Sequence, residues 1–156
     1  MDVLDEDILS IWRSLHHFNV QYIMVGGFAT NMHGFSRITA DLDIWIKDTP
    51  ENRKNFRAAL KEAQMGDLEE IETTDFIPGW TSIYLSSGME LDIMTYLKGF
   101  PEERFDECYA IAPVAEIHDI PIRFLHLNHL LEAKKATARP KDLLDIEELN
   151  KINKPL

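Results

Sequence analysis

Three aspartates carry the first chemical suggestion in this sequence. Asp41 and Asp43 stand two apart in "DLDIWI", and Asp92 sits in "ELDIM" with matching apolar neighbours, Leu42-Asp43-Ile44 against Leu91-Asp92-Ile93. Residues two apart on a strand project to the same side, about 6.5–7 Å from each other. Such a pair can hold a divalent cation through oxygen, and Mg²⁺ commonly takes one or two carboxylates plus substrate phosphates. A solvent-facing strand edge is the plainer account of two acids, but both runs are otherwise very apolar. If the two strands are neighbours, all three carboxylates converge. Two charges about 4 Å apart repel by about 4 kcal/mol at an effective dielectric of about 20, so a cluster of this kind is hard to explain without a cation.

Upstream of the pair, "YIMV" ends in Gly26 and Gly27. Two glycines between a strand and a helix let backbone N–H groups approach an anion without Cβ interference, and a helix N-terminus adds a favourable dipole. Taken alone, the dipeptide is better explained by a tight turn with no ligand. It is neither a Rossmann fingerprint nor a P-loop, because no GxGxxG follows the strand and no Gly-Lys-Ser/Thr closes the loop. Arg37 and Thr39 lie just before the Asp pair, where a guanidinium could grip a phosphate bidentately or simply be solvated. In "KKATARPK", Lys134, Arg139 and Lys141 could bind phosphate or form the basic end of a surface helix. Asp142 and Asp145 are expected to pair with those bases or cap the helix start rather than bind metal. His126 and His129, at i and i+3, have no third ligand at suitable spacing, so no zinc site is expected. Cys108 reads as an inert thiol. Trp45 and Trp80 could stack on a base, with core or rim packing the expected role.

The elements that position these residues follow from periodicity. Leu4, Ile8, Ile11, Trp12, Leu15 and Phe18 recur at helical spacing. Strand "YIMV" precedes a short helix "FATNMH" stopped by Gly34. Leu42, Ile44 and Ile46 alternate with Asp41, Asp43 and Trp45, giving a strand with one apolar and one acid-bearing face. Thr49-Pro50 caps a helix expected to reach Gly66. "TSIYLSSGMELDIMTY" reads as a hairpin turning at Ser86, Ser87 and Gly88, its second strand placing Glu90, Asp92 and Met94 on one face. Pro101 begins a short acidic helix, "IAPVAEI" and "IPIRFL" have edge-strand character, and two helices close the chain over about 126–152. The expected fold class is α/β (α+β): a mixed sheet with helices packed mainly on one side, in a single domain spanning 1–156.

Composition bounds the partners. The 156 residues are 45% hydrophobic and 28% charged, an ordinary globular balance. Net charge is −11, from 27 acidic and 16 basic residues, which disfavours an extended nucleic-acid groove. A small anionic ligand remains compatible if a cation carries it. One cysteine, an acidic N-terminus unlike a signal peptide, and no apolar run near the ~20 residues of a membrane span lead to the expectation of a cytoplasmic protein with no membrane partner.

A strand ending in Gly-Gly, a short helix, an Asp-x-Asp strand and a later strand with a third Asp together resemble the nucleotidyltransferase superfamily, the fold of the DNA polymerase β catalytic core. The motifs cover roughly residues 20–97. The tail "LLEAKKATARPKDLLDIEEL" resembles the C-terminal end of small bacterial members, among them abortive-infection-type toxins, minimal nucleotidyltransferase antitoxins and lincosamide nucleotidyltransferases. The resemblance implies an Mg²⁺-dependent (or Mn²⁺-dependent) transfer of a nucleoside monophosphate from a nucleoside triphosphate to an acceptor hydroxyl on a small molecule, protein or RNA end. It implies Asp41 and Asp43 holding the ion that carries the triphosphate and, with Asp92, a second ion beside the acceptor hydroxyl, with Asp92 accepting the acceptor proton. Gly26, Gly27, Arg37, Thr39 and Lys134 fall to nucleotide binding. Many members have Gly-Ser where this chain has Gly26-Gly27, so the phosphate contact made there by a hydroxyl would rest on backbone N–H groups. Two other readings fit the resemblance: a module that acts by binding a cognate toxin or antitoxin, and an antibiotic-modifying enzyme.

Overall fold

Strand alternation separates the side chains of one central sheet into two faces, and the helices follow from which face each can cover. The computed structural model describes residues 6–39, 41–76, 80–85 and 88–154. Helix α1 (Glu6–His17) and strand β1 (Tyr22–Val25) lead into α2 (Gly26–Met32), β2 (Asp41–Ile46) and α3 (Pro50–Glu62). A single turn α4 (Glu70–Thr73) precedes the hairpin β3 (Trp80–Tyr84) and β4 (Glu90–Met94). Helix α5 (Phe105–Ile111), the ribbon β5 (Val114–Ile117) and β6 (Ile120–Arg123), and helices α6 (Leu127–Thr137) and α7 (Pro140–Ile152) complete the chain. Among the described residues, no helix is long and apolar enough to cross a membrane.

The sheet order is β1-β2-β4-β3, with β2 and β4 parallel at the centre and antiparallel neighbours outside. Met24, Leu42, Ile44, Ile46, Leu91 and Ile93 enter the larger core, which α1 and α3 close with Trp12, Leu15, Phe56 and Leu60. Helices were expected mainly on one side of the sheet, whereas α5, α6 and α7 pack against the other face. Ile23, Val25 and Trp45 enter a smaller cluster with Phe100, Phe105, Cys108, Leu130 and Leu149. Trp45 is fully buried edge-on to Phe105, with ring centroids 5.2 Å apart, so it packs the core as expected. Asp41 and Asp43 share Trp45's face by strand alternation. That face is therefore covered at its Trp45 end and open at its aspartate end.

Several boundaries differ from the periodicity reading. Helix α2 begins at Gly26 rather than after the glycines, so Gly26 and Gly27 are its first turn. Helix α3 stops at Glu62, before Gly66, because Gln64 and Gly66 take left-handed φ of 63° and 95°. The two closing helices match, with Pro140 at the first position of α7. Of the expected hairpin turn, Ser86 and Ser87 lie outside the described residues, as does the side chain of Trp80.

Candidate active site

The β2–β4 register brings the aspartates together. Asp43 pairs directly with Asp92 and Asp41 with Glu90 across the parallel ladder. Ser82, opposite Asp92 on β3, donates its hydroxyl to Asp92 Oδ1 at 2.8 Å. Asp41, Glu90 and Asp92 each place a carboxylate oxygen within 4.8 Å of the others. Glu90 extends the predicted trio; its signal was its position two residues before Asp92 on the same strand face.

These acids are frustrated as they stand. Burial and the neighbouring Asp92 and Asp41 carboxylates together push Asp43 up to about 7, while Lys141 pulls against them. Converging carboxylates with only oxygen donors suit a hard divalent cation.

Gly26 is demanded by the same cluster. Its φ is 69°, and a Cβ there would stand 2.1 Å from Asp43 Oδ2. Conformation and space both exclude a side chain. A Cβ on Gly27 would meet Thr39 Oγ1 at 2.5 Å and Thr39 Cβ at 2.8 Å. Thr39 is buried and donates to the Asp41 carbonyl at 3.1 Å, so its hydroxyl fills the room a side chain at 27 would need.

A basic wall faces the acids across a cavity of about 580 Å³. Lys134 is only 6% exposed and donates to Asp145 Oδ2 at 2.7 Å. The surface-helix account therefore fails for Lys134, which points into the protein, although it holds for exposed Arg139 and Lys141. Arg37 is not a solvated loop arginine either. Its Nη2 lies 3.0 Å from Asp145 Oδ2 and its Nε 3.0 Å from Oδ1, while its backbone N–H donates to Asn31 Oδ1 at 3.1 Å. One buried carboxylate thus holds two cations, leaving a surplus positive charge on the cavity wall. Asp142 caps α7 and accepts from Arg139 Nε at 2.7 Å and Thr137 Oγ1 at 2.8 Å. Burial alone would raise its carboxyl, but the Arg139 and Thr137 hydrogen bonds prevail and hold it at about 2. Asp142 and Asp145 pair with bases, as their positions in the sequence suggested. Gly26, Gly27, Arg37, Thr39, Asp41, Asp43, Asp92 and Lys134 all line the one cavity.

The histidines behave differently from their spacing. His126 Nδ1 accepts the Asn128 N–H and caps α6, and the His126 and His129 rings lie 6.3 Å apart.

This topology has known counterparts: the chain has the nucleotidyltransferase fold. The crystal structure of TM1012, a candidate nucleotidyltransferase from Thermotoga maritima, matches 92% of this chain and 91% of its own, with a TM-score of 0.56 and 14% identity. The solution structure of the antibiotic-resistance factor ANT(2'')-Ia matches 93% of this chain and 81% of its own, with a TM-score of 0.52 and 15% identity. No family model and no curated protein sequence matches the chain.

Proposed function

We propose that the protein is a metal-dependent nucleotidyltransferase, moving a nucleoside monophosphate from a nucleoside triphosphate onto an acceptor hydroxyl. The observation that carries this reading is the opposition, across one cavity, of a converging carboxylate cluster and a cationic wall. Its volume of about 580 Å³ lies within the range of small-ligand pockets. Asp41, Asp43 and Asp92 would hold a divalent ion such as Mg²⁺, which when bound offsets the charge of the triphosphate and the leaving pyrophosphate.

The chain's own groups divide the remaining work. Lys134 and Arg37, held by Asp145, present N–H donors to the phosphates. Thr39 supplies the hydroxyl that Gly27 lacks, and the Gly27 backbone N–H adds a donor beside it. Because α2 has only seven residues, the side-chain cations rather than its dipole dominate phosphate binding. The acceptor oxygen forms its bond to the α-phosphorus as the bond to the β-phosphate oxygen breaks and pyrophosphate leaves. The acceptor proton passes to Asp92, which Ser82 orients from β3.

The test is incubation with each of the four labelled nucleoside triphosphates, Mg²⁺ and a total cell extract, followed by separation of RNA, protein and small molecules. Label is expected in one fraction with the parent and in none with Asp43→Asn. Calorimetry with the same nucleotides in Mg²⁺ and in EDTA complements it, with binding expected only in Mg²⁺. Equal binding in EDTA removes the metal from the reading. A complete lack of nucleotide binding removes the enzyme, and leaves the partner-binding module to be tested by co-purification.

A further inference from the structure

Between α5 and α6, among residues that do not line this cavity, three side chains of a different chemical character meet. Glu107 and Cys108 on α5 and His129 on α6 each place one potential ligand atom within 4.8 Å of the other two. We propose that this is a second metal site, selective for a zinc-class cation and distinct from the oxygen-only cluster on the sheet.

The Cys108 thiol, pushed up to about 11 by burial, must give up its proton to bind such an ion. Cys108 is fully buried and the chain's single cysteine. His129 is 9% exposed, and its Nδ1 is buried with no hydrogen-bond partner among the described residues. A buried ring nitrogen left in this way bears its full desolvation penalty, which coordination would remove. Burial also keeps His129 neutral, with its lone pair available. Glu107 is exposed, so the ion has a route in from solvent.

The neighbouring cation does not block the site. Arg104 bonds Glu107 at 2.8 Å, but it also pairs with Glu132 and lies over the Phe100 ring at 4.2 Å. Glu107 can therefore turn to a metal without leaving Arg104 unpaired. The donor set of sulfur, nitrogen and oxygen is that of zinc, with water in the fourth position, and is a poor match for Mg²⁺. Zinc bond lengths require the ligand atoms to draw in to about 3.5 Å, within the reach of side-chain rotation at Cys108 and Glu107. Binding forms a metal–sulfur bond and releases the Cys108 thiol proton to water. The consequence is a clamp between α5 and the helix that carries Lys134.

The probe is Co²⁺ alone, titrated into the metal-free full chain. With a single cysteine, a thiolate-to-cobalt charge-transfer band can arise only from Cys108. Expected are a one-to-one band with intense visible absorption typical of four-coordination, and at least tenfold weaker binding in Glu107→Gln and His129→Gln. The band should persist when Asp41 and Asp92 are both asparagine. Zn²⁺ should displace the cobalt and raise the melting temperature of the parent. Because Glu107 is exposed, its variant keeps the test decisive if His129→Gln does not fold. A parent without the band, or a band of equal affinity in Glu107→Gln, overturns the proposal.

Discussion

At and behind the cavity wall stand two groups of aspartates that the chain treats in opposite ways. Asp41, Asp43 and Asp92 stand together on the sheet beside Glu90 and the Ser82 hydroxyl, with Lys141 acting on Asp43 only through its charge, and Asp43 is pushed up to about 7. Asp142 and Asp145, on α7, are almost fully buried yet each is met by bases, and Asp142 is held at about 2. Burial is deeper in the second group, so burial does not separate them. What separates them is whether the chain itself supplies the countercharge. A buried acid with its own cation is architecture; converging acids without one leave the countercharge to come from solution.

The sharpest way to break this contrast is activity. Asp92→Asn should lower nucleotide transfer by about a thousandfold or more, since it alters both cation binding and proton acceptance. Asp142→Asn should stay within about tenfold once protein stability is matched. Labelled-nucleotide transfer measures both, and equal losses would erase the distinction.

Stability should then show the reverse ranking. Asp145→Ala leaves Lys134 buried without its partner and should cost about 3–5 kcal/mol in urea unfolding. Asp142→Ala, which loses the cap of α7, should cost about 1–2 kcal/mol. If Asp145→Ala unfolds with an unchanged midpoint, Lys134 is not held as described.

Opposite pH slopes provide a third measure. Asp43's folded value of about 7 lies above its ordinary 3.8, so its contribution is present below about pH 4 and lost as pH rises through 7. Asp142, lowered to about 2, contributes above about pH 4 and loses that contribution as pH falls towards 2. In EDTA, the stability of Asp43→Asn relative to the parent should therefore grow with rising pH, and the deficit of Asp142→Asn should shrink in acid. Unfolding curves across pH 2–8 check both signs.

The smallest expected effect is the most specific. At pH 8 in EDTA, Asp43→Asn should be more stable than the parent by about 1 kcal/mol, the Coulomb repulsion being reduced by solvent. Saturating Mg²⁺ should invert the order, because ligand at a hundred times its dissociation constant stabilises the parent by about 2.7 kcal/mol. Exposed Glu103→Gln is the control for general charge. Asp48 is unsuited to that purpose, because it accepts from the buried Arg53 at 2.5 Å.

The two aspartate groups were not equally legible. Alternation in "DLDIWI" and "ELDIM" put the acids on a strand face, and the matched apolar flanks hinted at neighbouring strands. The register pairing Asp43 with Asp92 is a tertiary fact that no local pattern encodes. Lys134 was harder. A lysine in "EAKKATA" looks solvated, and only the approach of α7, bringing Asp145 within 2.7 Å, explains its burial. Glu107 and Cys108 lie on α5 and His129 on α6, so spacing along the chain could not unite them.

Thr39 and Gly27 share one volume, and this constrains how either can change. A serine at 27 and a threonine at 39 are rival occupants, since a Cβ on residue 27 would already lie 2.5 Å from the Thr39 hydroxyl. A lineage exchanging one arrangement for the other must first shorten residue 39 and only then enlarge residue 27, crossing an intermediate with a void rather than a collision. The reverse order drives the new side chain into the loop that leads to Asp41. The hydroxyl can thus migrate between two distant codons while its place in space stays nearly fixed, and a search for the familiar dipeptide would pass over it.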